Sequence, residues 1–171
     1  MKLLPTYKGA SQLNISQAFI PIRPDGYFHN GIDVAGKFGT FLVAPFDGRI
    51  DRIVMAGSYG GKFGSTDEVH YGCGISIVST ENPAYKVVYW HCLENFPVEI
   101  GQIVKAGTPI AMMGNLGMVT SGGILVSVED REKEYAESNP LNLPKKGVHV
   151  HLELAINGTY VDPAPQIDWL A

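Results

Sequence analysis

Five histidines stand at positions 29, 70, 91, 149 and 151. Imidazole both binds transition metals and moves protons near neutral pH. The last two lie in Val148-His149-Val150-His151-Leu152-Glu153-Leu154, which alternates cleanly. With the two-residue period of a strand, His149, His151 and Glu153 share one face, and Val148, Val150, Leu152 and Leu154 share the other. The apolar face belongs to a core, so the polar face looks into something that accepts imidazole. His149 and His151 are roughly 6.6 Å apart along such a strand, close enough for both to reach one small site. Read alone, the pair also fits a surface strand with two incidental histidines.

The second group is Phe28-His29-Asn30-Gly31-Ile32-Asp33. A straight strand would set His29 and Asp33 roughly 13 Å apart, too far to share an ion. A helix would bring them together, but Asn-Gly is a poor helix interior and a good bend. A bend at Asn30-Gly31 folds His29 back toward Asp33. Zinc takes imidazole nitrogen at roughly 2.0–2.1 Å and carboxylate oxygen at roughly 2.0–2.2 Å. Two histidines, one aspartate and a water complete a tetrahedron, and three protein ligands with one open position is the catalytic pattern. His91, in Val87-Val88-Tyr89-Trp90-His91-Cys92, reads from alternation alone as a core or edge residue of a strand. His70, beside Tyr71 in a glycine-rich stretch, reads as a loop residue.

The elements that must position these groups are short strands. Candidates lie at 32–35, 40–44, 49–56, 74–80, 86–92, 102–104, 109–113 and 148–156, most of them separated by turn signals. Twenty glycines and eleven prolines punctuate the chain without forming a low-complexity tract, which predicts many tight turns and a mainly β fold. The segment 39–48 is echoed by 101–110, each a short strand, a turn and a short strand, which suits an antiparallel sheet that curls on itself. Residues 1–28 form a lead-in with the Pro-rich stretch Pro21-Ile22-Arg23-Pro24-Asp25-Gly26. Two segments read as insertions. Residues 57–72 are a loop, and 118–147 contain a charged run, Val128 to Glu137, that predicts a short helix ended by Asn139-Pro140. The charge of that run reads as a solvated face.

Bulk properties narrow the function. A chain of 171 residues suits one domain, and nothing divides it. Net charge is −4, with no basic cluster, which argues against nucleic acid as a partner. No stretch approaches the roughly 20 apolar residues of a membrane helix. Met1-Lys2-Leu3-Leu4-Pro5-Thr6 is too short an apolar run for a signal peptide, so a target outside the cell would be reached by a route the sequence does not display.

These residues resemble the lysostaphin/LytM-type family of zinc peptidases, which cut peptidoglycan peptides. The matching stretches are His29-Asn30-Gly31-Ile32-Asp33, Tyr89-Trp90-His91, the turn Gly114-Asn115-Leu116-Gly117, His149-Val150-His151-Leu152-Glu153 and the closing Asp162-Pro163-Ala164-Pro165. The resemblance runs from Phe19 to Leu170. It implies a curled antiparallel sheet of barrel-sandwich type with inserted loops. It implies one Zn2+ held by His29, Asp33 and His151, an unligated catalytic pair, His91 and His149, and Glu153 behind a ligand histidine. Zinc in such a site lowers the pKa of its water to about 7 and polarises the scissile carbonyl. The two free histidines would activate that water, stabilise the oxyanion or protonate the leaving amine. Two departures from the family stand out. Residues 118–147 lie where the family has a handful, near the cleft rim, where they would restrict which peptide binds or block access until moved. The usual Phe-Gly of the N-terminal segment is Phe19-Ile20, so no substrate contact carries over from there.

Cys73 and Cys92 are too few for a disulfide scaffold or a four-cysteine zinc site. If 81–84 is a hairpin loop closed by Thr80 and Tyr85, a regular register pairs them, and a cross-strand disulfide or two buried thiols both fit. Cys92 faces away from His91 along a strand. The function expected is hydrolysis of peptide bonds in peptidoglycan cross-links. The setting is a phage lysin or virion-associated enzyme with virion or tail partners, or a bacterial envelope enzyme. The alternative is a metal-free binding, activator or structural virion module of the same fold, a class in which ligand residues are typically lost. A biotinyl- or lipoyl-carrier reading of Gly101-Gln102-Ile103-Val104-Lys105-Ala106-Gly107 lacks the carrier lysine in its hairpin.

Overall fold

Alternating β-branched and aromatic residues between turn signals give twelve strands among the described residues, which in this computed structural model are 1–55 and 72–171. The loop expected at 57–72, with His70, lies outside them except for Gly72. The strands are β1 (Ile15–Gln17), β2 (Gly31–Ala35), β3 (Phe41–Val43), β4 (Gly48–Val54), β5 (Cys73–Ser79) and β6 (Tyr85–Cys92). They continue with β7 (Ile103–Val104), β8 (Pro109–Met112), β9 (Thr120–Ser121), β10 (Ile124–Leu125), β11 (His149–Ile156) and β12 (Thr159–Val161). The eight predicted strands are all present within two residues of their expected ends. Four are additional: β1, the β9–β10 hairpin inside the insertion, and β12.

The main sheet runs β1-β2-β11-β6-β5-β4-β7, and all its pairings are antiparallel. Its two edges, β1 and β7, do not meet, so the sheet curls without closing. Strand β11 is central. Residues 149–153 pair with β2, and beyond them 154–156 pair with β12 on the same side. The echoed segments interlock: β3 pairs with β8, and β4 pairs with β7. The small β3–β8 sheet packs on the apolar face of the main sheet, and Tyr89 crosses between them, donating from its hydroxyl to the Val43 carbonyl at 3.0 Å. Between them lie Ile32, Val34, Leu42, Ile50, Ile75, Ile77, Val87, Ile110, Val150, Leu152 and Leu154, all buried. The apolar half of the β11 alternation is therefore the core half, as its period predicts.

Residues 128–136 form the predicted helix, α1. The Ser127 hydroxyl accepts from the Asp130 amide at 3.0 Å, satisfying one orphan donor at its N-terminus, and Glu129 and Asp130 lie in the favourable first turn. Its C-cap is Glu137, just before Asn139-Pro140. Among the described residues no helix is long and apolar enough to cross a membrane.

Strand β2 lies so close to β11 that Gly31 has no room for a side chain. A Cβ there would sit 2.2 Å from the Leu152 carbonyl oxygen and 3.0 Å from His151 Nε2. We expect Gly31→Ala to destabilise the protein by about 1–3 kcal/mol, the usual cost of overpacking. A urea midpoint equal to that of the unsubstituted protein would contradict this.

Candidate metal centre

Adjacent strands place the site, and a bend and a bulge complete it. Asp33 on β2 pairs with His151 on β11, which pairs with Trp90 on β6. Partners across a sheet point to the same side, so Asp33 and His151 project together from the face opposite the core. Asn30 bends the chain before β2 begins, and His29 bridges back to Ile20. His29 Nε2 then lies 3.2 Å from Asp33 Oδ1, as the Asn30-Gly31 bend predicted.

His91 arrives by a different route. Simple alternation would put it with Val87 and Tyr89 on the core face. Instead β6 carries an extra residue. Ile75 pairs with Tyr89, but Cys73 pairs with Cys92, so Trp90 and His91 together oppose Gly74. His91 takes φ 60°, the left-handed region that non-glycine residues rarely adopt. The bulge turns its ring to the site face, 4.6 Å from the His149 ring and 6.3 Å from that of His151 between centroids. Gly74 makes the bulge possible, because a Cβ there would meet the Trp90 ring at 2.2 Å.

The same bulge explains the cysteines. They pair as predicted, but two offsets cancel to do it. The hairpin pairs Val78 with Lys86, one residue out from the Thr80–Tyr85 closure, and the bulge restores the difference. Both cysteines are buried thiols. Burial and the neighbouring Cys73 push the Cys92 thiol above the usual range, which makes it inert.

Each of the four described histidines is held by a contact from Nδ1. The Nδ1 of His29 contacts the Ala18 carbonyl at 2.8 Å, that of His91 the Leu116 carbonyl at 2.6 Å, and that of His149 the Gly147 carbonyl at 2.9 Å. A carbonyl only accepts, so all three rings carry a proton on Nδ1 and, when neutral, a lone pair on Nε2. His151 is the reverse. Its Nδ1 faces Asp33 Oδ1 at 2.8 Å, and its Nε2 lies 3.4 Å from Glu153 Oε1. The three carbonyls were invisible to a reading based on side-chain types. The only sequence hint was glycine at 117 and 147, and both take positive φ.

These contacts set the charges. Burial opposes charge on His151, but Asp33 and Glu153 outweigh it and raise its pKa to about 9. Burial would likewise raise Asp33, yet the bond from His151 and the attraction of the neighbouring imidazoles hold its carboxyl well below the usual range. Burial, with repulsion from neighbouring imidazoles, pushes His91 well down, and burial also lowers His149.

The geometry itself tests whether a metal fits. One ligand atom from each of His29, Asp33 and His151 lies within 4.8 Å of the others. The His29 Nε2 lone pair faces an Asp33 oxygen at 3.2 Å. Two acceptors at that distance repel unless a cation satisfies both. Bonds of 2.0–2.2 Å to a tetrahedral ion set ligand atoms roughly 3.3–3.6 Å apart. The His29–Asp33 edge is close to that span. The His151–Asp33 edge is shorter because a proton occupies it.

An open antiparallel sheet thus carries a cluster able to hold a metal ion. The sequence model of Peptidase family M23 matches residues 27–163. The chain belongs to that family. An uncharacterized metalloprotease of Haemophilus influenzae is 27% identical over 142 residues, which is 83% of this chain and 21% of that protein. The chain thus spans about a fifth of the length of that curated relative. A zinc-containing peptidase from Vibrio cholerae superposes with a TM-score of 0.61 at 23% identity, over 95% of this chain and 38% of the other. The catalytic domain of the antimicrobial peptidase lysostaphin from Staphylococcus simulans gives a TM-score of 0.55 at 22% identity over 88% of each chain. At these identities the two structures share the fold.

Proposed function

We propose that the protein is a zinc-dependent endopeptidase that hydrolyses peptide bonds in bacterial peptidoglycan cross-links. Its ligands would be His29 Nε2, Asp33 Oδ1 and His151 Nδ1, with His91 and His149 as the catalytic pair. The observation that carries this reading is the facing of the His29 lone pair and the Asp33 carboxylate, with His151 Nδ1 on the same oxygen. Nitrogen and carboxylate donors with a fourth position open suit catalytic zinc. A fold shared with an antimicrobial peptidase supports a target in the bacterial envelope.

Zinc, when bound, supplies a Lewis acid and a water of lowered pKa. The chain's own residues do the rest. His91 and His149 present Nε2 lone pairs, and burial keeps both rings neutral and ready to accept a proton. Their rings are 4.6 Å apart, so a charge on one opposes a charge on the other. The pair therefore takes up one proton at a time and can pass it to the leaving amine. Glu153 sits behind His151 and holds its ring in place.

Incubation of purified peptidoglycan with and without a chelator, followed by mass analysis of released peptides, tests the function. Chelator-sensitive fragments are expected. Their absence across several wall types would favour a binding module instead. A phage lysin or virion-associated wall hydrolase is the setting we propose, and lysis of intact cells only from within would count against a virion-borne role.

A proton must leave His151 Nδ1 when zinc binds. Below its metal-free pKa of about 9 that proton competes with the metal. Zinc affinity should therefore rise about tenfold per pH unit up to that pKa, with about one proton released per ion at neutral pH. Calorimetry in buffers of different ionisation enthalpy counts the protons, and zero release would refute the arrangement.

A further inference from the structure

The insertion at 118–147 carries a charged helix, α1, whose buried residue is Arg131, 3% exposed. Burying a guanidinium is costly unless its hydrogen bonds are replaced. Among the described residues the replacements include three backbone carbonyls. Nη1 donates to the Asn115 carbonyl at 2.9 Å and to the Gly117 carbonyl, and Nε reaches the Ser127 carbonyl at 3.4 Å. The peptide between the two clamped carbonyls ends in the Leu116 carbonyl, and that oxygen accepts the His91 Nδ1–H at 2.6 Å. Gly117 takes φ 90°, which lets the Asn115 and Gly117 carbonyls converge on one nitrogen while the Leu116 carbonyl points elsewhere.

We propose that Arg131 is a positioning residue for His91: by clamping the carbonyls on either side of Leu116, it fixes the acceptor that sets the tautomer and orientation of the His91 ring. The catalytic consequence rests on the function proposed above, while the structural one does not. The solvated-face reading of the charged run therefore fails at Arg131 and is incomplete at the half-buried Glu134, while Glu129, Asp130, Glu132, Lys133 and Glu137 are exposed. About one turn further along, the helix fastens a different segment. Glu134 Oε2 accepts from the Lys145 and Lys146 amides at 3.2 and 3.1 Å, just before the Gly147 carbonyl that holds His149. Glu134 therefore serves as an internal comparison, on the same helix but beside the other histidine.

The test is a long-range proton–nitrogen NMR spectrum of the imidazoles in the full chain without zinc, for the unsubstituted protein, Arg131→Met, Arg131→Lys, Glu134→Gln and the exposed Lys133→Met. With Arg131→Met, the His91 Nδ1–H signal should weaken and its tautomers mix, and kcat should fall roughly 10–100-fold, the usual cost of losing such a support. KM and zinc content should stay within about twofold. A lysine ammonium can serve both carbonyls but lacks the Nε tie to Ser127, so Arg131→Lys should recover part of the signal and of kcat. Glu134→Gln should disturb His149 before His91, and Lys133→Met neither. An unchanged His91 signal in folded Arg131→Met overturns the proposal. If that variant does not fold, an Arg131→Lys spectrum identical to the unsubstituted one overturns it. A His91 signal that responds to Arg131 in a protein without peptidase activity would leave the positioning intact and sink the proposed function alone.

Discussion

His151→Ala should leave the purified protein without zinc and lower peptide hydrolysis roughly 10³-fold or more. The metal contributes several kcal/mol of transition-state stabilisation, and each 1.4 kcal/mol is a factor of ten. The substitution does more than remove a nitrogen. His151 stands between Asp33 and Glu153, at 2.8 and 3.4 Å. Without it, two carboxylates, 14% and 5% exposed, are left with no charge between them. Leaving buried charge uncompensated is strongly destabilising, so the melting temperature should fall as well. Metal analysis of the purified variant is decisive, and one zinc per chain would remove His151 from the ligand set. His149→Ala serves as the control, because metal loss there would reverse the assignment within the pair.

The second expected result separates binding from chemistry. His91→Ala and His149→Ala should each keep zinc and lose roughly 10²–10⁴ in kcat, the range for a positioned acid or base. Because the two rings are in contact, the double variant should lose far less than the product of the two single losses. Fully multiplicative losses would show that the histidines act independently.

How much of this was legible beforehand depends on where the information lies. The alternation in 148–154 placed His149 and His151 on one face because a regular strand has a fixed period. The Asn30-Gly31 bend was legible because those residue types favour it. The bulge in β6 was not. Nothing in Tyr89-Trp90-His91 announces an extra residue, and its cause lies across the sheet, where Gly74 makes room for Trp90. Resemblance to a family put His91 in the site, whereas alternation alone would have left it in the core. The carbonyls of Ala18, Leu116 and Gly147 were equally hidden, since every residue has one. Arg131 looked like one charge among many, and only the fold shows what its guanidinium clamps. The short strands β1 and β12 went unread because three residues carry too little periodicity.

The central place of β11 also sets a timetable. Asp33 and His151 are separated by 118 residues. At 5–20 residues per second, a ribosome needs roughly 6–24 s to make the stretch between them. Until it does, β2 and β6 lack the strand that joins them, and the proposed ligand set is incomplete. On the function proposed above, the nascent chain acquires its chemistry only as the sheet is completed.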